Sequence, residues 1–542
     1  MPIRALNLAK ADKESSLEQH LVTLADADSR DPSLGRNRVP IRLGLRVNLA
    51  YLWFGLGVFL VLSPSPISSG DSGGYRDPTH RDMQFLWAAL RGWSFRPWTI
   101  VLPFTLASHD KSIEVGQTII FGLSFSLLIW AITRLPYVRA STNFVVAFLL
   151  VMLALSPGLI SWNVLILSES LAVSYSVLVV AFLLDYYTLR RTRYLAFGGI
   201  SAGFAILSKP LLFIVFIPLI LILMVWSIQR EGWSLKTRQN NAPRRVMTNP
   251  RLWLAVAVTV LSLVTSVWYV SRQDANRFAD GAPSQEDSIV HLITTADPGN
   301  SLVRRSLSRT SIPKCVPLTR PVPIGVFTAL ETGLFHTCPQ FRSWAEEHFA
   351  SWYLGFVLQH PLWARSYLSD MMPYALVTQL REPVTSLAIP PISDTLWGAF
   401  SSPVYPSQGV TSQLPPESFA DPMLAVVLGV NVFAIWLLRR KRHRRSFGED
   451  RSRLVLALVG LIDLSLIAMV GQLLILPSSG LEVTRIALET NVLARVGLIL
   501  AVGIVGEYLW TEFRSVRTRT SPSPMGAQTG PTTQSWPSSP ES

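Results

Sequence analysis

Long apolar runs alternate along the chain with short polar or basic breaks. Ten runs approach the roughly twenty helical residues needed to cross a hydrocarbon core about 30 Å thick. They fall at about 47–63, 113–133, 142–157, 167–188, 194–208, 210–228, 252–270, 422–438, 454–476 and 491–510. Lipid offers the backbone no hydrogen-bond partner, so helix is the state expected of each. The pattern predicts an all-α fold: a polytopic transmembrane bundle of about ten spans, with extracytoplasmic loops that carry amphipathic surface helices.

The breaks set the organisation. Residues 1–40 are polar and mixed in charge, and read as a flexible cytoplasmic arm with little to bury. No short apolar run sits near Met1, so the first span is expected to act as a retained signal anchor. A membrane core follows over 41–270, with a first outer loop at 64–112. The largest extramembrane segment, 271–420, is rich in proline and holds both cysteines. Within it, 343–380 reads as amphipathic helix at the membrane surface. Further membrane helices occupy 421–514. The Ser/Thr/Pro-rich tail, 515–542, is expected to be disordered and cytoplasmic.

Composition agrees with a membrane protein: 15% of residues are charged and mean hydropathy is +0.34. A net charge of +13 would otherwise suggest nucleic acid as a partner. The distribution argues against that. Arg134, Arg139, Arg190, Arg191, Arg193 and the run RRKRHRR (439–445) stand where apolar runs end, as the positive-inside rule requires. Both termini are then cytoplasmic, the location is the cell (plasma or inner) membrane, and anionic lipid heads are the partners of the basic residues. Cys315 and Cys338 share one outer loop, and an oxidising compartment predicts a disulfide between them.

Four polar features fall on the outer side. The first loop contains GDSGGYRDPTHRD (70–82), in which Asp71 sits in a tight, glycine-flanked turn able to bring a carboxylate close to a ligand. SWNVLILSES (161–170) places Glu169 between two serines where the fourth span begins, a position the helix dipole favours for an acid. Lys209, in Ser208-Lys209-Pro210, is a cation near the outer face, against the general trend. It suits an anionic partner, or it snorkels to headgroups. LEVTRIALETN (481–491) reads as an outer loop whose Glu482, Arg485 and Glu489 are spaced for ion pairing along a helix.

Elsewhere the signals are weaker. Asp463 lies midway along the ninth span; an intramembrane acid is a functional candidate by default, and a bond to Ser465 or a neighbouring helix also accounts for it. Asp77, His80 and Asp82 are close in sequence, but three such residues in a loop are a weak metal signal. His336 and Cys338 form no zinc pattern, and no nucleophile elbow or phosphate loop stands out. No metal site is assigned and no cofactor is called for, although a divalent metal remains compatible with these residues.

In their order, these features resemble the GT-C superfamily of integral-membrane glycosyltransferases, which use polyprenyl-phosphate sugars. The matching positions are Asp71 after the first span with Tyr75 behind it, then Pro157 and Ser168-Glu169. GGISAGFAILSKP (198–210) and the pair Glu482 and Arg485 follow. The match covers about 45–230 well and the remainder loosely. Many members carry two adjacent acids in the first loop; here Ser72 follows Asp71, so the second acid would fall on Asp77 or Asp82. The resemblance implies a lipid-linked sugar donor, an unidentified acceptor and transfer on the extracytoplasmic face. Asp71 would be the general base, Lys209 and Arg485 would hold the donor phosphate, and Tyr75 and Glu169 would support the site. Two rivals come from other classes. A transporter or flippase would show coupled intramembrane charges and internal repeats. A non-catalytic scaffold would share the fold without the chemistry.

Overall fold

The computed structural model describes residues 32–63, 83–91, 98–99, 101–102, 110–136, 138–163, 168–236, 250–279, 300–316, 338–376, 420–439, 448–475 and 480–520. Among these residues there is no strand. The helices are α1 (Pro32–Leu62), α2 (Met83–Leu90), α3 (Asp110–Thr133), α4 (Ala140–Ala154), the short α5 (Pro157–Ile160), α6 (Ser168–Leu189), α7 (Thr192–Ser208) and α8 (Phe213–Lys236). They continue as α9 (Pro250–Ala279), α10 (Asn300–Leu307), α11 (Pro339–Trp344), α12 (Ala350–Gln359), α13 (Pro361–Leu376), α14 (Ala420–Arg439), α15 (Glu449–Ile475) and α16 (Gly480–Thr520).

Seven of these helices contain segments long and apolar enough to cross a membrane: Leu43–Val61, Lys111–Thr133, Ser168–Leu189, Pro210–Ser227, Pro250–Arg272, Glu449–Leu474 and Ala487–Arg514. The remaining apolar runs form shorter helices: α4 has 15 residues, α7 has 17, and the apolar part of α14 spans Met423–Arg439. Several boundaries differ from the sequence reading. Residues 481–491 are not a loop but the first turns of α16. The segment 343–380 is not one helix: a π turn at Ala345–Phe349 and a break at His360 divide what is described of it. Helix α16 also runs through Thr520, past the point where the tail was expected to begin.

Helix α6 is the centre of the bundle, buried along nearly its whole length between α3, α7 and α16. On the periphery, Phe54, Ile222, Leu254, Leu261 and Val264 are exposed, an apolar surface that lipid suits and water does not.

The pairing of α7 with α9 explains the glycines of GGISAG. A Cβ on Gly199 would lie 2.6 Å from the Thr259 side chain, and one on Gly203 would lie 2.3 Å from Ser262 Oγ. Two small residues four apart let the backbones approach, which is how membrane helices gain contact without a hydrophobic driving force. Thr259 Oγ1 donates to Ala255 O at 2.8 Å and reaches Leu195 O across the interface at 3.3 Å.

One end of the bundle is basic and ion-paired. Arg134 Nη1 donates to both carboxylate oxygens of Asp185, at 3.1 and 3.2 Å. Arg139 Nε meets Glu507 Oε1 at 2.8 Å, and Arg190 lies 4.4 Å over the Trp226 ring and 3.8 Å from Asp450. The start of the apolar segment of α1, at Leu43, lies at this end too, since a Cβ on Gly44 would stand 3.2 Å from Phe144 near the start of α4.

Above the opposite end sits a second core of Val303, Leu307, Phe341, Trp344, Phe349 and Phe356, with Leu474 of α15 packed against it. The expected disulfide joins Cys315 to Cys338, with Cα atoms 5.7 Å apart, and ties α10 to α11. Burial pushes the Tyr353 phenol above its ordinary range, and Tyr367 adds to the shift.

Two stability measurements check this packing. Gly203→Val should lower stability by about 1–3 kcal/mol, because the added methyls collide with Ser262 across a close interface; an unchanged melting temperature would mean that α7 and α9 do not pack this way. Cys338→Ser should cost roughly 3 kcal/mol of stability in this second core, the loop-closure value for a bridge of this span. Limited proteolysis within 300–376, faster in the variant than in the parent, reports it.

Candidate functional site

The candidate site lies at the end of the bundle opposite the basic one. Three helices meet there, and local backbone chemistry places each side chain. Helix α7 stops at Ser208 because Pro210 follows: the residue before a proline is driven out of the α region, and Lys209 is extended, with φ −144° and ψ 99°. Its N–H still bonds Ala205 O at 2.8 Å, so the side chain leaves from the helix terminus itself. Helix α6 begins at Ser168, which puts Glu169 in the first turn, where unpaired N–H groups favour a carboxylate. Glu489 comes from α16.

Lys209 Nζ donates to Glu169 Oε1 at 3.1 Å and lies 3.9 Å from Glu489 Oε1. The two acids are 0% and 1% exposed and the lysine side chain 19%. Ser168 Oγ donates to Glu169 Oε2 at 3.2 Å. Ser170 Oγ donates to Asn163 Oδ1, tying α6 to the turn Ser161–Asn163 that follows Pro157. Two buried carboxylates thus face one ammonium. The ammonium is therefore held in place and already neutralised by Glu169. An incoming anion has to compete with that carboxylate for its hydrogen bonds.

Two further polar groups stand near this end. Where α1 finishes, Ser63 Oγ donates to the fully buried Glu114, and Lys111 Nζ pairs with Glu114 Oε2 at 2.9 Å. Ser63 is the last described residue before the loop that carries Asp71. On α16, Asn491 Nδ2 donates to Ala375 O and Leu376 O, at 2.8 and 2.9 Å. Arg495 Nη2 donates to Leu376 O at 2.6 Å, and its Nε to Asn491 Oδ1 at 2.9 Å. These side chains satisfy the last carbonyls of α13, which a helix leaves without internal partners. A cation also suits the negative end of the helix dipole.

Asp71, Tyr75, Asp77, His80 and Asp82 lie outside the described residues. Arg485 falls on α16 one turn before Glu489, and its side chain lies outside what is described. Lys209 and Glu169 are brought together. Asp463 takes a separate, structural bond, accepting from Asn431 Nδ2 of α14 at 3.0 Å; Ser465 bonds its own helix instead. The sequence reading did not assign the contact of Glu489 with Lys209, the Lys111–Glu114–Ser63 group or the cap made by Arg495. Arg495 had a usable signal, since an arginine inside an apolar run is a candidate by default. The others had none, because each depends on which helices become neighbours. Among the described residues, no group of three or more His, Cys, Asp or Glu is placed to hold a metal.

Fold and site together define a multi-helical, membrane-type protein with a buried acid–lysine–acid cluster at one end. No family model, no curated protein and no solved structure matches the chain.

Removing Lys209 takes away the ammonium that both acids face. Lys209→Met should cost about 3–5 kcal/mol, the usual penalty for breaking a buried ion pair by removing one partner. Adding Glu169→Gln to that variant should recover at least half of the loss. Melting curves in detergent decide it: a single variant as stable as the parent would mean that the ion pair is not formed.

Proposed function

We propose that the chain is a membrane glycosyltransferase that moves a sugar from a polyprenyl-phosphate donor to an acceptor on the extracytoplasmic face. One observation carries this reading. Glu169 and Lys209 belong to two separate features of the GT-C-like order, and they form an ion pair beside Glu489, which lies in a third.

The topology proposed with it has ten spans. The start of the apolar segment of α1 and the end of α16 both pack near the start of α4, through Gly44 with Phe144 and Glu507 with Arg139. Returning to the same end requires an even number of crossings, which seven long spans do not give and ten do, with the short helices α4, α7 and α14 counted beside them. The basic end is assigned to the cytoplasm by the positive-inside rule, which leaves the cluster at the extracytoplasmic face of the plasma membrane.

In this mechanism the Asp71 carboxylate accepts the proton of the acceptor hydroxyl as general base. The hydroxyl oxygen attacks the anomeric carbon and the bond from that carbon to the phosphate oxygen breaks. The electron pair leaves on the polyprenyl phosphate, and the sugar inverts. Lys209 and Arg485 receive that phosphate. At an effective dielectric near 20, a cation about 4 Å away contributes about 4 kcal/mol before desolvation. Glu169 orients the lysine. Tyr75, four residues after the base in sequence, is assigned a supporting role, and the second acid is assigned to Asp77 or Asp82.

A transporter or flippase is the second reading. The buried coupling of Glu169, Lys209 and Glu489 favours it, since carriers place paired charges within the bundle.

Sugar transfer from a panel of polyprenyl-phosphate donors, measured in membranes containing the wild type or Asp71→Asn, separates the two. The expected result is a loss of about 10²–10⁴-fold in the variant, the usual contribution of a general base, with its melting temperature unchanged. Activity retained in the variant would move the base to Asp77 or Asp82. No transfer by the wild type across the panel would sink the transferase reading in favour of the carrier.

A further inference from the structure

Helix α12 is apolar on two faces and packs with one of them. Tyr353 and Phe356 are buried in the second core, together with Trp363 of α13. On the other side, Leu354 and Leu358 are one turn apart and are 62% and 72% exposed. Gly355 shares that face, and a Cβ on it would meet nothing within 4 Å. The helix breaks at His360, and Leu362, in the first turn of α13, is 78% exposed. Phe54 and Val61 are exposed to a similar degree, and both lie on the membrane-crossing segment Leu43–Val61.

The height of this leucine edge follows from what it is joined to. Leu474, where the apolar segment of α15 ends, packs against the second core. Further along α13, Leu368 and Met372 pack into a cluster with Met469 and Leu473 of α15. Leu362 precedes Leu368 by less than two turns, at most about 9 Å of helix. The edge therefore stands within about 10 Å of the point where α15 leaves the hydrocarbon, the zone of headgroups and first acyl carbons. Arg365 is exposed one turn after Leu362, at the depth where lipid phosphates accept from a cation.

We propose that Leu354, Leu358 and Leu362 insert into the adjoining lipid leaflet and seat the second core on the membrane. Two observations select lipid over a protein partner. The edge is level with the end of the bundle, whose sides carry the same kind of exposed apolar residue. Three leucines also fall well short of the roughly 800 Å² per partner that a stable protein interface buries. Glu347, on the π turn before α12, is 70% exposed and marks a part of the same layer that suits water. Naming the leaflet as extracytoplasmic rests on the proposed orientation; the insertion itself does not depend on the transferase reading.

The test uses the full chain in phosphatidylcholine nanodiscs. Its two cysteines are bonded to each other, so an introduced surface cysteine is the site that a thiol-reactive dye labels. Leu354→Cys, Leu358→Cys and Leu362→Cys each receive an environment-sensitive fluorophore, with Glu347→Cys as the aqueous reference. The dyes at the three leucine positions should emit to the blue of the reference. They should be quenched by lipids that carry a nitroxide on the acyl chain and shielded from iodide in the water; the reference should show the reverse. Melting temperatures should stay at the parent value, because these side chains lie outside the cores, and if one variant melts early the other two decide. Iodide quenching equal to that of the reference would mean that the edge faces water, and would overturn the proposal. Shielding from both quenchers would mean that protein covers the leucines, and would overturn it as well.

Discussion

Inside a lipid-covered bundle there is no water to bond a peptide group or shield a charge, and most of this architecture follows from that. Backbone groups are satisfied within helices. Where a helix ends inside the protein, side chains have to take over. Asn491 and Arg495 do this for α13, donating to the carbonyls of Ala375 and Leu376. Ionised groups are held to the same standard. At the basic end, arginines on the ends of helices meet Asp185, Glu507 and Asp450 on other helices. At the opposite end, Glu169 and Glu489 are both within reach of one ammonium.

The same solvent removes the hydrophobic effect as a force between spans, so shape has to supply the contact. Helix α7 is short and its glycines let α9 lie against it, while the paired backbones bury Thr259 and Ser266 in the seam. The end of α7 is set separately, by the local sequence. The proline after Lys209 turns the chain there, and the lysine emerges beside the first turn of α6. Close packing between α7 and α9 and the placement of Lys209 are thus two consequences of one short, glycine-rich helix with a proline after it.

The cluster gives the proposed chemistry a specific form. A lysine held by a buried carboxylate is pre-positioned, with little freedom left to lose when an anion arrives. It is also partly neutralised, so its pull on a departing phosphate is smaller than that of a bare ammonium. A second cation is then needed, and Arg485, one turn before Glu489 on α16, is the candidate nearest in sequence to the cluster. The carrier reading uses the same three groups differently, as a charge relay, and only the Asp71 loop separates the two chemically.

The sequence by itself determined the class of protein, because apolar run length and the placement of arginines answer to the membrane directly and need no knowledge of neighbours. It also determined the Cys315–Cys338 bridge, from compartment and proximity in one loop, and it singled out Glu169 as an acid in a first helical turn and Lys209 as a cation against the general trend. What it could not contain was their meeting. Forty residues separate them, and the pair forms only because α6 and α7 pack antiparallel with their polar ends level. Glu489 joins from far along the chain for the same reason, and the residues read as an outer loop at 481–491 prove to be the turns of α16 that carry it there. Likewise, Leu354 and Leu358 are two more apolar residues in an aromatic-rich run until the second core forms and leaves them outside it. Length and hydropathy are local quantities, legible one segment at a time. Ion pairs, caps and the faces left outside a core depend on pairwise distances, and those exist only once the helices are packed.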